Sequence, residues 1–385
     1  LIPSIYLLLI GCRGERVKES MDADYRITLE DSIKIPYLGM LGLMDVDPEN
    51  EKLLMYDGQQ GLILLTDFQG NTLMEMRKQG DVKDSYGRFL LSAATFTGNQ
   101  SFKLISQNGL FEFDFDGQLI NRVKHSTDPF PGLSGKGTVD KPMHIYNGKV
   151  FFTGISRNQF TKIEPEYYDH FELMASFNPK DGQLHRFMGL EEGSVFKNGM
   201  AHEMIEMYPT FTLTDDQFYV IVGTEPTLYQ YPAKEPYELI KSSPIPYLEF
   251  HEGKGRPHDK VDVKAITSDQ SAGRALNLIN FKDYLLLSYI TGYEKSDREA
   301  YYQANSAESY KEFYESIAGK YTPQLLLMDK STNRLAHWEV PERLDSRQFL
   351  ARGDFLWFLG RFNEEEEEDF AKIYKVNIDS KQKRD

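Results

Sequence analysis

The stretch Gly61-Leu62-Ile63-Leu64-Leu65-Thr66-Asp67-Phe68-Gln69-Gly70-Asn71-Thr72-Leu73-Met74-Glu75-Met76 reads as a β-hairpin. Its first arm is an almost unbroken apolar run, as a strand buried on both faces requires. Its second arm alternates Met74 and Met76 with Glu75 and Arg77, the pattern of a half-exposed strand, and Gly70-Asn71 supplies the turn. The same unit recurs at Leu110–Val123 around Asp116-Gly117-Gln118, and at Phe171–Phe187 around Asp181-Gly182-Gln183. Weaker copies span Thr227–Ile240 around Lys234-Glu235, and Gln324–Val340 around Thr332-Asn333-Arg334. A sixth, Lys372–Asp379, has only the first arm.

Another strand pair precedes each hairpin: Leu38–Tyr56, Phe89–Ser106, Met143–Ile155, Thr210–Gly223, Ala275–Ile290 and Gln348–Gly360. Four antiparallel strands repeated six times predict an all-β, six-bladed β-propeller, whose blades recur at roughly 40 to 50 residues. The alternating segment Tyr25–Pro36 stands before the first full repeat, and the last repeat lacks an outer strand. The N-terminal strand is therefore expected to complete the last blade, closing the ring and removing its open edge. The domain is read as residues 25–385.

Composition agrees with this and excludes some partners. Aromatic residues make up 13% of the chain, 25 Phe and 23 Tyr against 2 Trp, and aromatic side chains suit pleated surfaces. A net charge of -15 and a pI near 5.1 argue against nucleic acid, which is bound through clustered cations.

Near the N-terminus a short apolar run ends in Leu9-Ile10-Gly11-Cys12, and Cys12 is the only cysteine. Such a run is too short to span a bilayer core of about 30 Å as a helix. It resembles the lipobox of bacterial lipoproteins, which implies cleavage before Cys12 and lipidation of its thiol. Residues 1–12 are thus read as a signal peptide ending in a lipobox and 13–24 as a polar tether. Two or three acyl chains would anchor the chain stably, the membrane being met through the lipid alone.

In a four-stranded blade the 1-2 and 3-4 turns share one face of the disc and the 2-3 and 4-1 connections the other. Every expected 1-2 and 3-4 turn is short. The long segments are 4-1 connections (Lys78–Arg88, Lys124–Pro142, Gly189–Pro209, Lys241–Arg274) or 2-3 connections (Ser156–His170, Thr291–Pro323). Elaboration is confined to one face, where binding residues concentrate on a rigid scaffold. Within Thr291–Pro323, Ser296-Asp297-Arg298-Glu299 fits a capping box, Tyr310, Phe313, Tyr314 and Ile317 share a helical face, and Gly319 suits a stop. One or two helices are expected over 296–319, packed on their own domain or acting as a lid.

The innermost strand of each blade lines the central channel, so residues leading into it ring the mouth on the loop-rich face. There stand Arg88, Lys141, Arg274 and Arg347, with Tyr37 and Tyr208 in the two remaining blades. They are the candidate ligand-binding residues; the bland alternative is local pairing with Asp84, Asp140, Asp269 and Asp345. His202-Glu203-Met204-Ile205-Glu206 lacks a second histidine at ligand spacing. The acidic turn Asp45-Val46-Asp47-Pro48-Glu49-Asn50 carries a proline and lacks the calcium-loop glycine. Glu364–Glu368 reads as a solvated loop. No metal site, cofactor or catalytic set is expected.

Lipobox, closure strand and six repeats together resemble the six-bladed propeller lipoproteins of Bacteroidota, similar to TolB-like and NHL-like propellers. The resemblance implies a cell-envelope binding or scaffolding protein. After Cys12, Arg13-Gly14-Glu15-Arg16 lacks the acidic cluster associated with surface export in that phylum, so the outer membrane facing the periplasm is expected. The partner would be an envelope protein, peptide or glycan. The alternative is a glycan-active hydrolase or lyase using residues such as Glu203, His258 or Asp259.

Overall fold

The computed structural model describes residues 25–98, 100–126, 137–155, 158–214, 216–362 and 369–380. Cys12, the tether and Glu364–Glu368 lie outside the described residues. Strand β1 (Tyr25–Pro36) comes first. Blade one is β2 (Leu41–Asp47), β3 (Lys52–Asp57), β4 (Leu62–Asp67) and β5 (Thr72–Met76). Blade two is β6 (Thr95–Phe96), β7 (Ser101–Ser106), β8 (Gly109–Asp114) and β9 (Leu119–Val123). Blade three is β10 (His144–Tyr146), β11 (Lys149–Thr153), β12 (Glu172–Phe177) and β13 (Leu184–Gly189), with a short helix α1 (Pro165–Asp169) between β11 and β12. Blade four is β14 (Pro209–Thr214), β15 (Gln217–Val222), β16 (Thr227–Pro232) and β17 (Lys241–Pro244). Blade five is β18 (Ala272–Phe281), β19 (Tyr284–Gly292), β20 (Gln324–Asp329) and β21 (Arg334–Glu339); helices α2 (Lys295–Gln303) and α3 (Ala307–Ser316) join β19 to β20. Blade six is β22 (Leu344–Arg352), β23 (Phe355–Gly360) and β24 (Phe370–Ser380), completed by β1.

Each blade is a four-stranded antiparallel sheet, and together the six make the propeller. Ring closure is as expected: β1 pairs with β24 from Tyr25 opposite Ser380 to Pro36 opposite Phe370. Burial follows the hairpin pattern. In β4, Leu62 to Thr66 are all buried, whereas in β5 only Met74 and Met76 are.

Apolar clusters fill the seams between blades, which hold the ring together. Leu41, Leu43 and Met55 of blade one meet Leu350, Trp357 and Ile373 of blade six, where Phe68 lies 5.1 Å from the Trp357 ring. Leu54 and Leu65 meet Phe102, Phe111 and Phe113 of blade two. Fully burying a side chain of this size stabilises by roughly 1.5–3 kcal/mol.

The recurring 3-4 turn has a physical signature. Asp67 Oδ1 accepts from the backbone N–H of Gln69 (3.0 Å) and Asn71 (2.8 Å), and Asp329 Oδ1 from those of Ser331 and Asn333 (both 2.8 Å). Gly70 adopts φ +83°, and a Cβ there would strike the Lys34 carbonyl of β1. Gly182, φ +73°, sits likewise against the Lys124 carbonyl. Glycine therefore lets each of these turns seat on the outer part of the preceding blade.

Two boundaries differ from the sequence reading. The outer strand of blade four begins at Lys241, beyond the expected Ile240, because the turn before it is long and folds Tyr237 onto Phe187 of blade three, with ring centroids 4.0 Å apart. Helix α2 starts at Lys295 after Glu294, and Asp297 instead accepts from Lys320 (2.7 Å) and Tyr321 (2.5 Å). The reciprocal cap belongs to α3, where Ser306 and Ser309 exchange hydrogen bonds.

Candidate functional site at the axial mouth

The mouth is built by the segments leading into the innermost strands of blades three to six. Lys141 precedes β10 and places its Nζ 3.4 Å from the Tyr208 ring centroid, a close cation–π contact. Tyr208 precedes β14, and burial pushes its hydroxyl pKa up, helped by the Asp140 charge. Arg274 lies early in β18 and Arg347 early in β22.

These charges feel one another. Burial lowers Lys141 to a pKa of about 8, with Asp140 opposing the shift and Arg347 adding to it. Burial lowers the Arg274 pKa too, and Arg347 again adds to the fall. Burial raises the Asp140 pKa, against the downward pull of the Thr138 hydroxyl bond (2.5 Å), Lys141 and Arg347. Lys141, Tyr208 and Arg274 keep part of their surface open and Arg347 is exposed, as suits residues lining a narrow opening.

The local pairing scheme holds in part, since Asp140 acts on Lys141 and Asp269 on Arg274, though neither couple forms a salt bridge among the described residues. Asp345 accepts from the backbone N–H of Arg347 (2.7 Å) and Gln348 (3.1 Å), so it holds the backbone turn. Asp269 accepts from Ser271 and Tyr302, and Arg274 donates to Gln270 Oε1 at 3.2 Å. Among the described residues the Arg347 guanidinium makes no hydrogen bond or ion pair, and Arg274 Nε is buried without a partner. Lys141 and Arg347 thus act on the Asp140 carboxylate, while Arg274 feels Asp269 and Arg347.

Two sequence candidates stay outside. Arg88 is exposed and well ahead of β6, because the inner strand of blade two is only two residues long and starts at Thr95. Tyr37 donates to Asp57 Oδ2 at 2.7 Å; partial burial first, then this bond, raise its pKa to about 12.

The floor of the mouth was not legible from the sequence. Gly137–Lys141, on the way into blade three, touches two other blades, with Val139 N–H donating to the Leu43 carbonyl of blade one (2.9 Å) and Ala93 N–H, ahead of blade two's β6, to that of Lys141 (2.9 Å). Thr138 lies against Gly42, where a side chain would clash, and Val139 is buried among Leu41, Leu43 and Leu350. Further along the inner strands, Asp45 is buried and pairs with Arg352 (2.7 Å) while accepting from Thr95 and the Phe96 N–H (both 2.8 Å). The carboxylate of the acidic turn therefore fastens blade one to blades two and six.

A second polar network joins the loops that lead into blades four and five. Glu203 Oε1 accepts from Lys162 (2.5 Å), Arg256 (3.0 Å) and the Thr267 N–H (3.0 Å). Glu206 accepts from the Glu203 and Asp269 N–H groups (3.1 and 2.7 Å). His202 N–H donates to the Tyr168 hydroxyl of α1 (2.8 Å). His258 and Asp259 stay exposed on a short 3-10 turn.

No protein-family model matches the chain, and no curated protein does. Solved structures do resemble it. A member of the DUF4221 family from Bacteroides vulgatus aligns over 93% of this chain and 99% of its own, at TM-score 0.58 and 11% identity. A protein of Bacteroides fragilis described as exported aligns over 94% and 98%, at 0.49 and 13%. A gluconolactonase from Xanthomonas campestris aligns over 95% and 100%, at 0.44 and 11%. The chain is a six-bladed β-propeller; at these identities the likeness is one of fold.

Proposed function

We propose that this propeller is a non-catalytic binding or scaffolding module of the bacterial cell envelope, taking an anionic or polyhydroxylated ligand at the axial mouth. The observation that carries the reading is the run of cations Lys141, Arg347 and Arg274, which feel one another, with the Arg347 guanidinium making no hydrogen bond or ion pair among the described residues. A guanidinium offers a planar fork to carboxylate or phosphate, and a confined mouth focuses its field despite the acidic surface elsewhere. The non-catalytic part is supported by Glu203, whose bonds hold loops together, and by its distance in role from the exposed His258 and Asp259.

Titration calorimetry with inorganic phosphate and citrate tests it. Arg347→Ala, an exposed change, is expected to weaken the bound anion about 10- to 100-fold, the range of one charge-assisted hydrogen bond. With a pKa of about 8, Lys141 loses its charge as pH rises through that value, so affinity should fall between pH 7 and 9.5. An affinity flat over that window and indifferent to Arg347→Ala would remove the mouth as the site.

The envelope assignment includes a lipid anchor on Cys12, supported by Leu9-Ile10-Gly11-Cys12. Cys12→Ser expressed in a bacterial host is expected to abolish incorporation of a fatty-acid probe. Undiminished labelling of that variant would end this part of the reading.

A further inference from the structure

Beside the mouth, between α3 and blade five, lies a cavity of about 310 Å³ with Arg274, Gln270, Tyr293, Tyr314 and Tyr321 among its walls. Its volume is at the low end for small-molecule sites, which suits a single ring. Tyr293 and Tyr321 have ring centroids 4.8 Å apart, and Phe313 supports Tyr293 at 5.5 Å. Tyr314 stays 45% exposed at the cavity edge. The hydroxyls differ in what they have left to give. That of Tyr321 is spent on Asp297 and the Glu294 N–H, whereas those of Tyr293 and Tyr314 make no hydrogen bond among the described residues. Arg274 donates from Nη2 to Gln270, leaving its buried Nε without a partner.

We propose that this cavity binds one carboxylate-bearing pyranose, a hexuronate, with the carboxylate on Arg274 and the ring against the tyrosines. This rests on the reading that the loop-rich face takes anionic or polyhydroxylated ligands, and adds which ring, charge and wall. The guanidinium fork matches a carboxylate. Tyrosine faces cover the apolar C–H side of a sugar, and the free hydroxyls meet its polar edge. A purely aromatic acid would leave those hydroxyls unused, and a neutral sugar would leave Arg274 unanswered.

Calorimetry with glucuronate, glucose, phenylacetate, digalacturonate and phosphate, on the wild type and on Arg274→Gln, Tyr314→Ala and Arg347→Ala, decides it. Circular dichroism checks that each variant folds, and the edge position of Tyr314 makes its variant the safer one. Glucuronate should bind better than glucose or phenylacetate, weaken about 10- to 100-fold in Arg274→Gln and about fivefold in Tyr314→Ala. Digalacturonate binding as well as glucuronate identifies a chain end as the natural form, and weaker binding the free sugar; both keep the proposal. Phosphate weakened by Arg347→Ala, with glucuronate indifferent to Tyr314→Ala, overturns the cavity and leaves the axial site. Glucuronate sensitive to Tyr314→Ala, with phosphate indifferent to Arg347→Ala, does the reverse. Glucose or phenylacetate equal to glucuronate, or no glucuronate binding, overturns the proposal outright.

Discussion

Deleting Tyr25–Pro36 is expected to abolish the folded monomer. The strand supplies the outer edge of blade six, and Ile33 and Ile35 sit in the cluster that seals blade six to blade one. Its loss strips β24 of a partner along nearly its whole length, leaving a long open edge that invites pairing between molecules. It also removes the Lys34 backbone on which Gly70 is seated. Size-exclusion chromatography should show aggregates and the thermal transition should broaden or vanish. Ile35→Ala, which keeps the strand but empties a fully buried site, should cost about 2–5 kcal/mol. A monomeric deletion variant melting like the full chain would refute the clasp.

Glu203→Ala should be the most damaging single change among the polar residues. Glu203 is 4% exposed and Lys162 8%, so the variant strands an ammonium inside the protein with only the Ala265 carbonyl (2.6 Å) to answer it. Breaking a buried pair by removing one partner costs about 3–5 kcal/mol, since the other charge stays desolvated. Arg256 and the Thr267 N–H lose their acceptor at the same time. The effect should reach the mouth, because the loops that Glu203 joins lead into Tyr208 and Arg274. Denaturant unfolding should report the loss, and the anion titration a weaker site. A change below about 1 kcal/mol would mean that the pair contributes little.

The architecture was legible because blades announce themselves locally. An apolar arm, a turn such as Phe68-Gln69-Gly70-Asn71 and an alternating arm are each readable within a few residues. The blade-four hairpin was blurred because its turn is shaped by a partner outside the hairpin, Phe187. The mouth was half legible. Lys141, Tyr208, Arg274 and Arg347 follow from counting back along inner strands, while Arg88 was misplaced because the blade-two strand starts late. Other features depend on contacts distant in sequence: the Gly137–Lys141 crossing to Leu43, the Asp45–Arg352 pair and the cavity under α3. No periodicity encodes such meetings.

The clasp also fixes the face on which the chain enters the disc. Strand β24 runs from the loop-rich face to the short-turn face, so antiparallel β1 runs the other way. Tyr25 accordingly starts on the short-turn side, where its hydroxyl donates to that of Tyr284 (3.3 Å) at the Lys282-Asp283 turn. Tyr25 therefore sits at the back of the disc, at its rim beside the end of β24. An attachment made through residues before Tyr25 would therefore join the disc on the face opposite the axial mouth and its neighbouring cavity.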